Sequence, residues 1–136
     1  MWKREMTLEA MNRASRDSMT EHLGIEFTEI TDHSLVATMP VDARTKQPFG
    51  VLHGGASAVL AETVGSFASY LCTEGDERPA GLELNLSHLR AVSCGKMTAI
   101  AKPYRIGSGH QVWEVTLYND KEQLCCAARL TLTILK

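Results

Sequence analysis

One long segment of the chain contains almost no charged side chains. Between Lys46 and Glu74 the only Asp, Glu, Lys or Arg side chain is Glu62, and its neighbours are mostly Gly, Ala, Ser, Val and Leu. A segment that is poor in charge on every side is typical of a helix enclosed by protein. The sequence therefore predicts a long buried helix from Gly54 to about Cys72, around which the rest of the chain must pack.

Strand patterns dominate the chain outside this helix. A short amphipathic helix with Thr7 as its N-cap is predicted from Thr7 to about Met19. Strands are predicted at 25–30, at 34–39, around Leu82, Leu84 and Leu86 on a half-buried face, and at 96–105, 111–118 and 123–135, with a bulge or edge at Pro103. Loops or turns are expected at 31–33, 40–48, 74–79, 106–109 and 119–121. The pattern predicts an α+β fold in which an antiparallel sheet curls around the long helix.

Composition limits the classes of protein to consider. With 136 residues and no linker, the chain is expected to form one domain over 1–136. A net charge of −2 without a basic block argues against nucleic acid as a partner. The N-terminus has no apolar signal region, and the apolar segment carries a central acid, so a membrane span is not expected. Four cysteines without Cys-x-x-Cys spacing favour reduced thiols and a cytoplasmic location.

The acid in the long helix points to chemistry. Burial would raise the pKa of the Glu62 carboxyl, which suits a base that works near neutral pH. At the start of the helix, the N–H groups of Gly54 and Gly55 have no partner within it and could bind an oxyanion or a carbonyl. Ser66 lies at i+4 from Glu62 on the same face, whereas Thr63 points about 100° away.

Glu62 and Gly54 are too far apart to act together within one chain. Eight helical residues correspond to roughly 12 Å along the axis and about 80° around it, whereas reacting atoms must approach to roughly 3–3.5 Å. If both groups act on one carbonyl, a second subunit must supply one of them. Two such helices, antiparallel about a two-fold axis, would form two equivalent sites.

The motifs resemble those of a known family. The residues that carry the resemblance are Gln47-Pro48-Phe49-Gly50, His53-Gly54-Gly55, Glu62, Met39–Asp42, Arg44–Gly50, Leu52–Ser57, Leu71–Gly75, His110–Trp113 and Leu124–Cys126. Together they resemble the hotdog-fold acyl-CoA thioesterases of the phenylacetyl-CoA and 4-hydroxybenzoyl-CoA type. Within that family the chain is most similar to small bacterial members that act on 1,4-dihydroxy-2-naphthoyl-CoA in menaquinone synthesis, and to a relative that proofreads aryl carrier protein in enterobactin synthesis.

The resemblance implies a hydrolase for aromatic acyl-CoA, working as a homodimer with composite sites and usually as a homotetramer. It implies Glu62 as base or nucleophile, with Gln47, His53 and the Gly54 N–H placing and polarising the carbonyl and Ser66 assisting. Substrate contacts are expected at Gly81, His88, Arg90, Thr63, Gly107 and Ser108, with the Gly107–Ser108 turn near the nucleotide phosphates. The implied partner is acyl-CoA or an acyl carrier protein. No metal or other cofactor is implied.

Alternatives remain open at this stage. Glu62 could be a structural acid, and His53, Glu62 and His88 could hold a metal ion. A hotdog dehydratase would need a histidine in the helix, where this chain has none. A non-catalytic module that binds acyl thioesters is the rival from another class.

Overall fold

The computed structural model describes all 136 residues, which form three helices and one six-stranded sheet. The helices are α1 (Leu8–Ala14), α2 (Met19–His22) and α3 (Gly54–Leu71), and the strands are β1 (Glu26–Ile30), β2 (Leu35–Pro40), β3 (Arg78–His88), β4 (Lys96–Ile106), β5 (His110–Tyr118) and β6 (Leu124–Leu135). Every strand pair is antiparallel, and the order across the sheet is β1-β2-β4-β5-β6-β3. Helix α3 packs against all strands from β2 to β6. This confirms the predicted α+β architecture.

The helix lies close to the sheet because small and aliphatic residues face it. The fully buried apolar side chains of α3 are Leu60, Ala61, Val64, Ala68 and Leu71. At Gly65 a Cβ atom would lie only 2.7 Å from Leu130 Cδ2 on β6, so a larger residue would push the two elements apart. The strands contribute Trp113, Leu117, Leu130 and Leu132, all fully buried, to the same core.

The N-terminal helix is shorter than predicted. Thr7 is its N-cap as expected, since the Ala10 N–H donates to Thr7 Oγ1 at 3.0 Å. The helix ends at Ala14 instead of near Met19, because Ser15 is its C-cap and Asp17 adopts a left-handed φ of 59°. The single turn of α2 is a separate element. Serine hydroxyls that bond local carbonyls compete with helix continuation, as Ser15 does with Met11 O.

Strand β3 begins earlier and is less regular than the alternating leucines predicted. It starts at Arg78, inside the expected loop. A bulge between Gly81 and Glu83 shifts its register with β6 and leaves Leu82 59% exposed, so Leu82 does not share the inner face with Leu84 and Leu86. The predicted bulge near Pro103 and the β1–β2 and β5–β6 hairpins are confirmed.

One long edge of the sheet is open. Strand β3 pairs with β6 on one side and with no strand of the chain on the other. It has 11 residues, whereas β1 at the opposite edge has five. A long edge strand presents a row of free N–H and C=O groups that can pair with another chain.

The N-terminal segment closes the far end of α3. The backbone N–H groups of Lys3 and Arg4 both donate to Leu71 O, at 2.7 and 3.0 Å. Trp2 stacks on the buried Trp113 ring, with 6.2 Å between centroids. The two N–H donors satisfy the carbonyl of Leu71, which the end of the helix leaves without an intrahelical partner. No helix in the structure has both the length and the apolar character that a membrane crossing requires.

Candidate active site

A tight loop before α3 orients Gln47. The loop is closed by hydrogen bonds from the His53 N–H to Thr45 O (2.8 Å) and from the Gln47 N–H to Val51 O (2.9 Å). The Phe49 N–H donates to the side-chain oxygen Oε1 of Gln47. Because the amide oxygen is engaged within the loop, the amide NH₂ of Gln47 is the end that remains free to donate.

The N-terminus of α3 offers one free backbone donor, not two. His53 is the N-cap, and its Nδ1 accepts the Gly55 N–H at 2.8 Å. The prediction that Gly55 shares in carbonyl binding is therefore wrong, because its N–H is already bonded. The Gly54 N–H has no partner in the chain. With Nδ1 as acceptor, the neutral His53 ring carries its proton on Nε2, so it presents a second donor beside Gly54.

His88 packs directly against Gly54. A Cβ atom at Gly54 would lie 2.9 Å from His88 Nε2, so only glycine allows this approach without displacing the imidazole. Arg90, two residues further along, is exposed and has no carboxylate partner. Both residues border a pocket of about 370 Å³ at this end of the helix. Its lining comprises Val51, Leu52, Gly54, Ser57, His88, Leu89, Arg90, Ala91, Val92, Met97 and Cys125.

Glu62 is exposed in the single chain, although the sequence predicted a helix enclosed by protein. Its carboxylate forms no salt bridge and lies beside the open edge strand. A Cβ atom at Gly81 of β3 would lie 3.0 Å from Glu62 Oε2. The face of α3 that carries Glu62 is thus next to the free edge of the sheet, not beneath its centre.

Two other predicted residues flank Glu62 on α3. Ser66 and Thr63 are both half-buried. Ser69, one further turn along the Ser66 face, was missed by the sequence analysis. Its Oγ is the one buried side-chain polar atom without a hydrogen-bond partner. Ser57 was also missed, although its position three residues after Gly54 places it on the first turn of the helix.

The chain does not bring all predicted site residues together. Gly54 and His88 lie at one end of the sheet. The β4–β5 turn with Gly107 and Ser108 lies at the other, where Ser108 O accepts a bond from Lys136 Nζ at 3.2 Å. The eight helical residues between Gly54 and Glu62 also keep these two groups apart within one chain. His53, Glu62 and His88 do not form a cluster that could hold a metal ion.

The chain is similar to known proteins over nearly its whole length. The family model described as the Thioesterase superfamily matches residues 49–126. A 1,4-dihydroxy-2-naphthoyl-CoA hydrolase from Escherichia coli (strain K12) is 53% identical over 135 residues, covering 99% of each chain. A proofreading thioesterase EntH from Cronobacter sakazakii (strain ATCC BAA-894) is 51% identical over 135 residues, covering 99% of this chain and 98% of that protein.

Solved structures agree with the sequence relatives. A thioesterase from Haemophilus influenzae has a TM-score of 0.98 and 47% identity, covering 99% of this chain and 94% of that one. A mutant thioesterase from Pseudomonas aeruginosa has a TM-score of 0.97 and 44% identity, covering 98% of this chain and 97% of that one. The expected hotdog fold and the resemblance to thioesterases are confirmed.

Proposed function

Because the chain belongs to the thioesterase superfamily, we propose that it hydrolyses aromatic acyl-CoA thioesters to the free acid and CoA. The acyl group is expected to be similar to 1,4-dihydroxy-2-naphthoyl, the group named for the Escherichia coli relative. Such a reaction would belong to menaquinone synthesis. The cytoplasmic location predicted from the N-terminus and the free thiols is part of the same proposal.

In the proposed reaction, the thioester carbonyl accepts hydrogen bonds from the Gly54 N–H and the Gln47 amide NH₂. These donors stabilise the negative charge that develops on the carbonyl oxygen. Glu62 of the partner subunit either takes a proton from an attacking water or attacks the carbonyl carbon itself. The C–S bond breaks, and the thiolate leaves and takes up a proton. In the water route the free acid forms in this step. In the covalent route the acyl group stays on Glu62 as an anhydride until water cleaves it, which releases the acid and restores the Glu62 carboxylate. His53 would hold the Gly54 end of the helix in place through its cap, and Ser66 would orient the carboxylate or the water.

One observation supports a site that is shared between two subunits. On β3, His88 lies against Gly54 and Gly81 lies against Glu62. If two β3 edges pair antiparallel about a two-fold axis, residues on one half of the strand face residues on the other half of its partner. An axis that passes between Leu84 and Asn85 would place Gly81 opposite His88 of the partner subunit. Glu62 of one subunit would then lie beside the Gly54 end of the other helix.

The dimer would also explain the exposure of Glu62. Its carboxylate is next to an unpaired strand edge in the single chain, and pairing of that edge would enclose it. The second dimer contact that a homotetramer requires remains a prediction from the resemblance alone.

Proofreading of an aryl carrier protein is the second candidate. The Cronobacter sakazakii relative at 51% identity is named as a proofreading thioesterase, so the same site could act on a thioester whose arm is attached to a protein. Comparison of kcat/KM for one aryl group on CoA and on carrier protein would separate the two. A ratio well above one in favour of the carrier protein would replace the CoA proposal.

The assignment of Glu62 is tested by Glu62→Ala. We expect single-turnover hydrolysis of an aryl-CoA to fall at least about a hundredfold, as general-base contributions of this size are common. Glu62→Asp should retain part of the activity. Glu29→Ala, an exposed acid on β1 at the opposite edge of the sheet, serves as the control and should hydrolyse like wild type. A Glu62→Ala protein as fast as wild type would exclude Glu62 from the chemistry.

A further inference from the structure

The pocket beside Gly54 is lined by a serine hydroxyl that has no part in the reaction proposed above. Its buried part is formed by Val92, Met97 and Cys125, which are apolar or weakly polar. Ser57 is the one hydroxyl-bearing residue in the lining. It stands on the first turn of α3, three residues after Gly54.

Ser57 is buried but unpaired. The residue is 4% exposed, and its Oγ has no hydrogen-bond partner in the chain. Ser69 Oγ is the only side-chain polar atom that is both inaccessible and unpaired. The unpaired Ser57 Oγ therefore keeps access to the open volume that its residue lines. Buried hydroxyls are generally satisfied, so this group is suited to bond with a ligand in the pocket.

The charges around the pocket indicate which part of a thioester enters it. Arg90 at its border has no ionic partner and also borders a neighbouring pocket of about 250 Å³ that includes Lys121. The path from Gly54 thus runs first along walls without Asp, Glu or Lys side chains and then past Arg90 and Lys121, with Asp120 as the one acid of the second lining. The thiol arm of CoA has the same order, with neutral methylene and amide groups first and phosphates after them. The acyl group carries no such phosphates.

We propose that Ser57 Oγ hydrogen-bonds the amide nearest the sulfur in the pantetheine arm. The proposal rests on the function above, in which the thioester carbonyl lies at the Gly54 N–H. Residues three apart on a helix lie about 5–6 Å from each other. Only two methylene groups separate the sulfur from this amide, so one helical turn spans a similar distance. CoA and carrier proteins share this arm, and Ser57 would therefore bind either substrate.

The test compares Ser57→Ala with wild type on benzoyl thioesters of CoA, N-acetylcysteamine and butanethiol. N-acetylcysteamine retains only the first amide, and butanethiol has none. We expect kcat/KM to fall about tenfold for the first two, as one lost hydrogen bond predicts, and to stay unchanged for the third. Ser18→Ala, an exposed serine before α2 and outside both the pocket lining and the β3 edge, is the matched control and should match wild type on all three. Ser57→Cys, a second variant with nearly the same volume, should fall between Ala and wild type.

Calorimetric binding of CoA itself separates this inference from the proposed function. We expect Ser57→Ala to bind CoA about tenfold more weakly than wild type at an unchanged melting temperature. Equal CoA affinities would overturn the role of Ser57, whether or not the wild-type protein hydrolyses thioesters. An equally large loss of kcat/KM with the butanethiol ester would also overturn it, since Ser57 would then act without the arm amide.

Discussion

At the scale of single residues, two glycines leave room for the side chains of His88 and Glu62. A Cβ at Gly54 would meet the His88 ring, and a Cβ at Gly81 would meet the Glu62 carboxylate. Neither glycine requires an unusual backbone conformation, because neither has a positive φ. Each glycine instead permits close contact between α3 and β3. Because the two glycines have no side chain, β3 can approach α3 closely both at Gly54, where the helix begins, and at Glu62, near its middle.

Candidate site residues could be proposed from the sequence where they follow from helix geometry or motif, and their roles stay predictions. The spacing of Gly54 and Glu62 implied two subunits, and the resemblance pointed to Gln47 and His88. The engagement of the Gly55 N–H was not predictable, because it depends on the rotamer of the His53 ring. Ser57 was missed for another reason. Its pocket is formed by segments far apart in sequence, so no local pattern indicates that Ser57 lines it.

The cysteines give a prediction at the same scale. Burial raises the pKa of the Cys72 thiol to about 11 and also raises that of Cys126, whereas Cys94 is exposed. Because the thiolate is the reactive form, we expect one thiol per native chain to react rapidly with an aromatic disulfide reagent at neutral pH, and all four after denaturation.

Cys94→Ser should remove the rapid reaction and leave the melting temperature unchanged. Rapid modification of two or more thiols in the native protein would show that the interior is more open than the structure indicates.

At the scale of elements, α3 is held at both ends by side chains from neighbouring segments. His53 caps its N-terminus, and the N-terminal segment covers its C-terminus. The guanidinium of Arg4 donates to Tyr70 O (3.1 Å), Gly75 O (2.8 Å) and Glu77 O (3.3 Å), and lies 4.2 Å above the Tyr70 ring. A cation at the C-terminus of α3 also interacts favourably with the negative end of the helix dipole.

Arg4→Ala should therefore destabilise the fold by about 2–3 kcal/mol, since several carbonyls lose a charged donor and the cation–π contact is lost. Arg4→Lys should recover only part of this, because an ammonium cannot reproduce the forked geometry. The measurement is urea unfolding followed by Trp fluorescence.

Lys3→Ala is the matched control. Lys3 pairs with Glu74 at 2.9 Å on the surface, and both side chains are at least half exposed. Such pairs contribute little, so its unfolding midpoint should match that of wild type. Equal midpoints for Arg4→Ala and Lys3→Ala would mean that the N-terminal segment does not support α3.

Element boundaries differed in how well the sequence predicted them. The predicted limits of α3 were correct to about one residue. The helix lies within the segment that contains almost no charged residues, begins at His53-Gly54-Gly55 and ends at Leu71-Cys72. The end of α1 was wrong because side-chain bonding by serine interrupts an amphipathic pattern that otherwise continues. In β3, alternation alone could not reveal the bulge that turns Leu82 outward.

At the scale of the whole molecule, one chain keeps two groups of proposed site residues apart. Gly54, His53 and His88 are grouped at the N-terminus of α3, and the loop that carries Gln47 leads into this end, whereas Glu62 lies further along the helix beside Gly81. The open β3 edge links the two groups and offers the surface on which a second copy could join them. The sequence predicted the need for two chains, but only the structure identifies the strand that can connect them.

Mixing two inactive variants tests this account most directly. Glu62→Ala and Gln47→Ala would each abolish both sites of a homodimer. A heterodimer would combine the two defects in one site and leave the other intact. After random subunit exchange at equal amounts, half of the dimers are mixed, so activity should recover to about a quarter of wild type. Purification through two different tags would confirm the heterodimers. Heterodimers shown to form but without activity would mean that Glu62 and Gln47 do not act across a subunit interface.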